Sequence, residues 1–171
     1  MKRTADINEI LKPLEICPEQ AYLSSAIQVA DILDWIIKQY GPVEVWQTSF
    51  SISEEFLRRL FFINKRSHGI TQYRLILDFK ATNKTLSLWP FICQTISDVF
   101  LADNHSKILL AQNKKKQAVT VITSQNLTRG NRAESAYIST NVHIFETLKS
   151  QIEDVIKNHS LTLHELYNRT N

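Results

Sequence analysis

A chain of 171 residues is long enough for one domain with its own apolar core and needs no disulfide or metal staples. Hydrophobic residues at 43% against 22% charged exclude wholesale disorder. The only cysteines, Cys17 and Cys93, form no C-x-x-C pair or Cys/His grouping, which excludes a disulfide framework and a zinc site. A formal charge of +3 permits contact with a polyanion but is too small to require one.

Met1-Lys2-Arg3 runs straight into Asp6, Asn8 and Glu9, so the start lacks the apolar core of a secretory signal. Lys38, Arg58, Arg74 and Lys107 interrupt every apolar stretch before it reaches the roughly 18 residues that cross a bilayer. These features predict one cytoplasmic domain over 1–171, with 1–18 and 158–171 peripheral, reduced thiols and no stable membrane association.

From Glu19 to Tyr40 the apolar residues Tyr22, Ala26, Val29, Ala30, Leu33, Ile36, Ile37 and Tyr40 recur three and four apart, predicting an amphipathic helix that Gly41-Pro42 ends. Val43 to Phe50, rich in β-branched and aromatic residues, reads as a buried strand. Ser51 and Glu54 form a capping-box signature for a second helix to about Asn64, and Tyr73 to Phe79 reads as a strand. A polar stretch from Ala81 to Lys84 opens a short helical or irregular segment near Pro90. Strand-like runs follow at Ile96 to Ala102, Ser106 to Ala111, Ala118 to Thr123 and Ser135 to Thr140. A helix from Val142 to Lys157 and a short one at Leu161 to Tyr167 complete the chain. Helices interspersed with strands predict an α/β layer architecture with a mixed sheet covered on both faces.

Lys114-Lys115-Lys116 lies between two strand runs and reads as a hairpin tip. Centring the turn there sets Gln112 opposite Gln117, Leu110 opposite Val119, Ile108 opposite Val121 and His105 opposite Ser124. Ile108, Leu110, Val119 and Val121 then share one face. Residues two apart share a side, so His105, Lys107, Ser124 and Asn126 converge at the open end. Together they suit a phosphate. Lys neutralises its oxygens, Ser and Asn donate hydrogen bonds as charge builds, and neutral imidazole can attack phosphorus and leave again. Such a ring needs an acceptor to fix its tautomer, and Glu134 is the candidate.

His105-Ser106-Lys107, Thr123 to Thr128, and Asn131-Arg132-Ala133-Glu134 resemble the H-x-K signature of the phospholipase D superfamily, in its single-motif, nuclease-like form. The resemblance spans about Glu19 to Lys157. It implies an α-β-α sandwich, no metal or other cofactor, a covalent phosphohistidine, and a homodimer in which one histidine attacks while its twin protonates the leaving oxygen. His105, Lys107, Asn126, Glu134 and Ser124 would be the catalytic set, with Arg129 and Arg132 joining Lys107, Ser124 and Asn126 in binding substrate. Two positions depart from the family pattern: Gln112 and Asn113 stand where an Asp is usual, and Thr123 where a Gly precedes the Ser. His68, His143, His159 and His164 lack a Lys two positions on, so one half-site is present and pairing is required.

Plainer readings stand beside these. The lysine run serves as a solvated turn or helps guide a phosphate backbone. Trp35 and Trp46 fit the core, Trp89 fits a surface contact or ordinary packing, and His68 fits a turn. The expected activity is a metal-independent phosphodiesterase, a nuclease on DNA or RNA. The alternatives are a weak or inactive nucleic-acid-binding module of the same fold and a phospholipid phosphodiesterase, the latter disfavoured because no basic amphipathic membrane face stands out.

Overall fold

The computed structural model describes residues 6–170, so the Met1-Lys2-Arg3 start lies outside the described residues. Among these, eight strands form one sheet: β1 (Glu19–Ser24), β2 (Val43–Ser49), β3 (Ile70–Asp78), β4 (Asp98–Ala102), β5 (Ile108–Asn113), β6 (Ala118–Thr123), β7 (Glu134–Ser139) and β8 (Leu161–Thr162). The helices are α1 (Val29–Tyr40), α2 (Glu54–Ser67), α3 (Thr82–Ser87), α4 (Trp89–Thr95), α5 (Val142–Asn158) and α6 (Leu163–Thr170).

The strand order is β1-β7-β6-β5-β2-β3-β4-β8, parallel across β2, β3 and β4 and antiparallel at every other pairing. β1, β2, β3, β4 and β6 therefore all end at one sheet edge, where β5 and β7 begin. Ser24, Ser49, Asp78, Ala102, Ile108, Thr123 and Glu134 all lie there.

Both faces of the sheet are covered, as an α-β-α sandwich requires. Odd-numbered positions of β2, β5 and β6, among them Val45, Leu109, Ala111, Val119 and Val121, pack in one cluster with Val29, Leu33 and Ile36 of α1 and Leu57 and Leu60 of α2. Trp46, Ile76, Leu110 and Ala118 face the other way, against Phe145 and Ile152 of α5. Phe145 meets Trp46 edge-on at 6.1 Å. Leu11, Leu14 and Leu163 are also buried, so both terminal segments contribute to the core.

The two-sided core corrects the expected hairpin. Ile108 pairs with Ile122, Leu109 with Val121, Leu110 with Thr120 and Ala111 with Val119, one residue out of step with the sequence reading. Ile108 and Leu110 thus face α5, while Val119 and Val121 face α1 and α2. A one-residue slip moves every side chain of a strand across the sheet, and burial on both faces hides the slip from an apolar pattern. The turn is the cause. Asn113 pairs with Gln117 around a three-residue loop in which Lys116 is left-handed, with φ 65°.

The first helix is also corrected. Glu19 to Ser24 form β1, paired with β7, and α1 begins only at Val29, where Gln28 and Asp31 make a capping box. Tyr22 is buried while Leu23 beside it is exposed, a period of two that a helical reading of Tyr22, Ala26 and Val29 overlooks. The cap of α2 is Ser53, whose hydroxyl accepts from Phe56 N, rather than Ser51. The segment around Pro90 is helical, with Pro90 in the first turn of α4 where its missing N–H costs no hydrogen bond. His68 is a turn residue, the left-handed end of α2.

Asn113 fixes the hairpin register from inside. Its Oδ1 accepts from Lys115 N and Gln117 N, both at 3.0 Å, and its Nδ2 donates to Tyr40 O at 2.9 Å and Gln117 Oε1 at 2.7 Å. Asn113→Ala removes four hydrogen bonds at a buried position and is expected to destabilise the fold by about 2–3 kcal/mol. Urea denaturation should show a lower midpoint at unchanged slope.

Candidate active site

A network rooted in buried Asp78, Ser49 and Thr48 braces the loop before β5. The Asp78 carboxylate, 4% exposed, accepts from Lys80 N at 2.8 Å and from Asn104 N at 3.0 Å. Asn104 Nδ2 donates to Ser49 O at 3.1 Å, and its Oδ1 accepts from Ser106 N at 3.2 Å. Ser106 Oγ lies 2.6 Å from Asn104 Oδ1 and 2.8 Å from Thr48 Oγ1, which also accepts from Ile108 N at 3.0 Å. His105 is exposed at the crest of this loop, its ring edge-on to Phe50 at 5.7 Å and 62°. Lys107 Nζ donates to His105 O at 2.9 Å, and Lys107 O accepts from Thr123 N at 3.0 Å.

Asn126 reaches the same place from the loop after β6. Its Oδ1 accepts from Phe50 N at 3.2 Å and sits 3.4 Å from Ser49 Oγ. Leu127 anchors the loop: its N donates to Ser49 Oγ at 3.1 Å and its O accepts from Ser53 N at 2.9 Å. With Oδ1 committed to an N–H, the carboxamide must turn its NH2 away, and among the described residues that NH2 has no acceptor. Phe50 therefore joins two candidates, holding the Asn126 carboxamide by its backbone N–H and the His105 imidazole by its ring.

Glu134 stands at the start of β7, but its carboxylate takes the Ser124 hydroxyl; among the described residues no hydrogen bond joins Glu134 to His105. Ser124 Oγ also accepts from Ser135 N at 3.1 Å, which ties Ser124 to β7. Ser124 N in turn donates to Ser135 O at 3.0 Å, so Ser124 belongs to the pairing of β6 with β7. Arg129 pairs with Glu55 at 3.1 Å, and Arg132 is exposed without an ion pair among the described residues. Among the described residues no three or more His, Cys, Asp or Glu side chains gather as a metal site.

Thr48, Ser49, Phe50, Asp78 and Asn104 were not foreseen. A signal was present in Thr48-Ser49 and Asp78, polar residues that end two predominantly buried strands. Buried polar groups need partners, and strand carboxyl ends are where α/β sheets place their sites.

No family model and no curated protein matches the sequence. Solved structures do match. A phospholipase D family member, Nuc from Salmonella typhimurium, superposes with a TM-score of 0.62 at 13% identity, over 82% of this chain and 95% of that one. The fold is that of the phospholipase D superfamily. NucT from Helicobacter pylori shares it with a TM-score of 0.55 at 15% identity, over 82% of this chain and 96% of that one. TrmBL2, an archaeal chromatin protein whose structure shows a mode of DNA binding, gives 0.57 at 11% identity, over 90% of this chain and 58% of that one. At such identities the shared feature is the backbone path, so the chemistry of this phospholipase D fold has to be read from its own side chains.

One group beside the site carries a pH signature. The Tyr22 hydroxyl is buried without a hydrogen-bond partner, and burial, then the Asp31 and Glu134 carboxylates, push its pKa from 10.0 up to about 12. The folded state thus favours the neutral phenol. This contribution is intact below pH 10.0 and is lost as pH rises toward about 12. Tyr22→Phe, which removes an unsatisfied hydroxyl, is expected to be as stable as the parent or more so at pH 7 and to lose less stability between pH 10 and 11. Urea melts at the two pH values check this.

Proposed function

We propose that this chain is a metal-independent phosphodiesterase acting on DNA or RNA, with His105 as nucleophile in a site completed by a second copy of the chain. The observation that carries the reading is the junction at Phe50, which holds an exposed imidazole and a carboxamide with a free NH2 at one sheet edge, beside the Lys107 ammonium. Neutral and cationic donors of this kind suit a phosphate oxyanion.

In this reading Lys107 and the Asn126 NH2 hold the non-bridging oxygens, Lys107 swinging from His105 O to do so. The His105 imidazole attacks phosphorus, forming a P–N bond as the P–O bond to the leaving group breaks. The leaving oxygen takes a proton from His105 of the partner subunit, which then accepts a proton from water as that water displaces the imidazole. One water is consumed per diester, giving a monoester and an alcohol. Ser124 acts as an auxiliary donor once its single O–H swings away from Glu134, to which it donates, and Arg132 contacts the backbone beyond the scissile phosphate. One chain offers one H-x-K histidine, so a paired site is required. The nuclease-like fold, shared with Nuc and NucT, supports a phosphodiester substrate.

A second reading, a nucleic-acid-binding module without turnover, is favoured by the likeness to TrmBL2. One experiment separates the two. Plasmid and single-stranded DNA or RNA are incubated with the protein in excess EDTA, beside His105→Ala. The catalytic reading expects cleavage that survives chelation and falls by roughly 10³-fold or more in the variant. Binding without cleavage by either protein favours the module, and cleavage abolished by EDTA removes the metal-independent mechanism. Sedimentation must give a dimer, because a strict monomer cannot pair two His105 rings.

A further inference from the structure

At the sheet edge opposite His105, where β4 begins, a cavity of about 450 Å³ opens between α4, β4 and α6. Its size falls in the range of small-molecule sites, and its floor is apolar, made by buried Ile92, Ile96 and Val99. Two aromatic rings, Trp89 and Phe100, stand in its walls. The Trp89 ring packs against Tyr167, stacked at 5.1 Å and 22°, and against His164 of the lining, tilted at 5.8 Å and 36°.

The charge of the lining is its second feature. Asp98 supplies a carboxylate and His164 an imidazole, and neither Lys nor Arg contributes to the lining. Asp98 accepts one hydrogen bond, from Gln72 Nε2 at 3.3 Å, and forms no ion pair among the described residues. Its cross-strand neighbour Arg74 is occupied elsewhere, 2.8 Å from Glu44 and over the Trp46 ring at 5.1 Å. In a chain of net charge +3, a carboxylate without a cation beside two aromatic walls repels phosphate and attracts a cation.

We propose that this cavity is a binding site for a small aromatic amine, its ring against Trp89 and Phe100 and its ammonium on the Asp98 carboxylate. The site is separate from the His105 edge and does not depend on the activity assigned there.

Tryptamine is the probe, with indole-3-propionate as the anionic counterpart of the same ring and butylamine as the amine without a ring. Cys93, exposed at the rim, reports occupancy through its rate of alkylation by iodoacetamide, followed by mass spectrometry. Tryptamine is expected to bind in calorimetry with a sub-millimolar dissociation constant and to slow Cys93 alkylation several-fold, leaving Cys17 unaffected. Indole-3-propionate and butylamine should each bind at least tenfold more weakly. Asp98→Asn, which can still accept from Gln72, should fold normally and lose tenfold or more of tryptamine affinity. The proposal is overturned if tryptamine does not bind at millimolar concentration, if the two indoles bind equally, or if folded Asp98→Asn, verified by circular dichroism, binds as the parent does.

Discussion

The end of β2 meets the loop after β6 through three short polar contacts: Asn126 Oδ1 on Phe50 N, Ser49 Oγ on Leu127 N, and Leu127 O on Ser53 N. These bonds close a gap between strands that are not neighbours, since β5 lies between β2 and β6. Because they are made by buried or half-buried groups, losing any one leaves a polar atom unsatisfied, which is costlier than the bond itself. The candidate site inherits its geometry from them. Asn126 is oriented because its oxygen is needed structurally, and Phe50 is placed where its ring can support His105.

On the other side, Asp78 and Asn104 perform the same service for the loop that carries His105. A carboxylate that accepts two backbone N–H groups is satisfied without a countercharge, so it can lie buried beneath an exposed loop. The edge therefore has two layers. Asp78, Asn104, Ser49 and Thr48 are joined by these bonds, and above them His105 is exposed with the half-buried Lys107 ammonium on its carbonyl oxygen.

The departures from the phospholipase D pattern take on meaning from their places in this fold. Gln112 lies five residues along β5 from Lys107, roughly 17 Å at the ordinary strand rise, and so at the opposite sheet edge from His105. With Asn113 it is buried beside the hairpin turn, where Asn113 serves as the register lock. An Asp in that place would act on phosphate only at long range, so its absence here changes the turn more than the site. Thr123, standing where the pattern has Gly, uses its hydroxyl on Ser135 O at 2.8 Å and helps join β6 to β7.

Much of this was legible in the amino-acid order. The α/β class, β2, β6, α5 and the existence of the hairpin follow from local periodicity and turn composition, which act over a few residues. Tertiary structure decided the rest. Whether Glu19 to Ser24 would be helix or strand depended on β7, more than a hundred residues away, because an edge segment takes the structure its partner offers. Whether the hairpin would pair in one register or the next depended on a single side chain, Asn113, since a sheet buried on both faces presents apolar residues in either register. The contact of Glu134 with Ser124 instead of His105 is decided by the separate pairing of β6 with β7, which no spacing along the chain encodes.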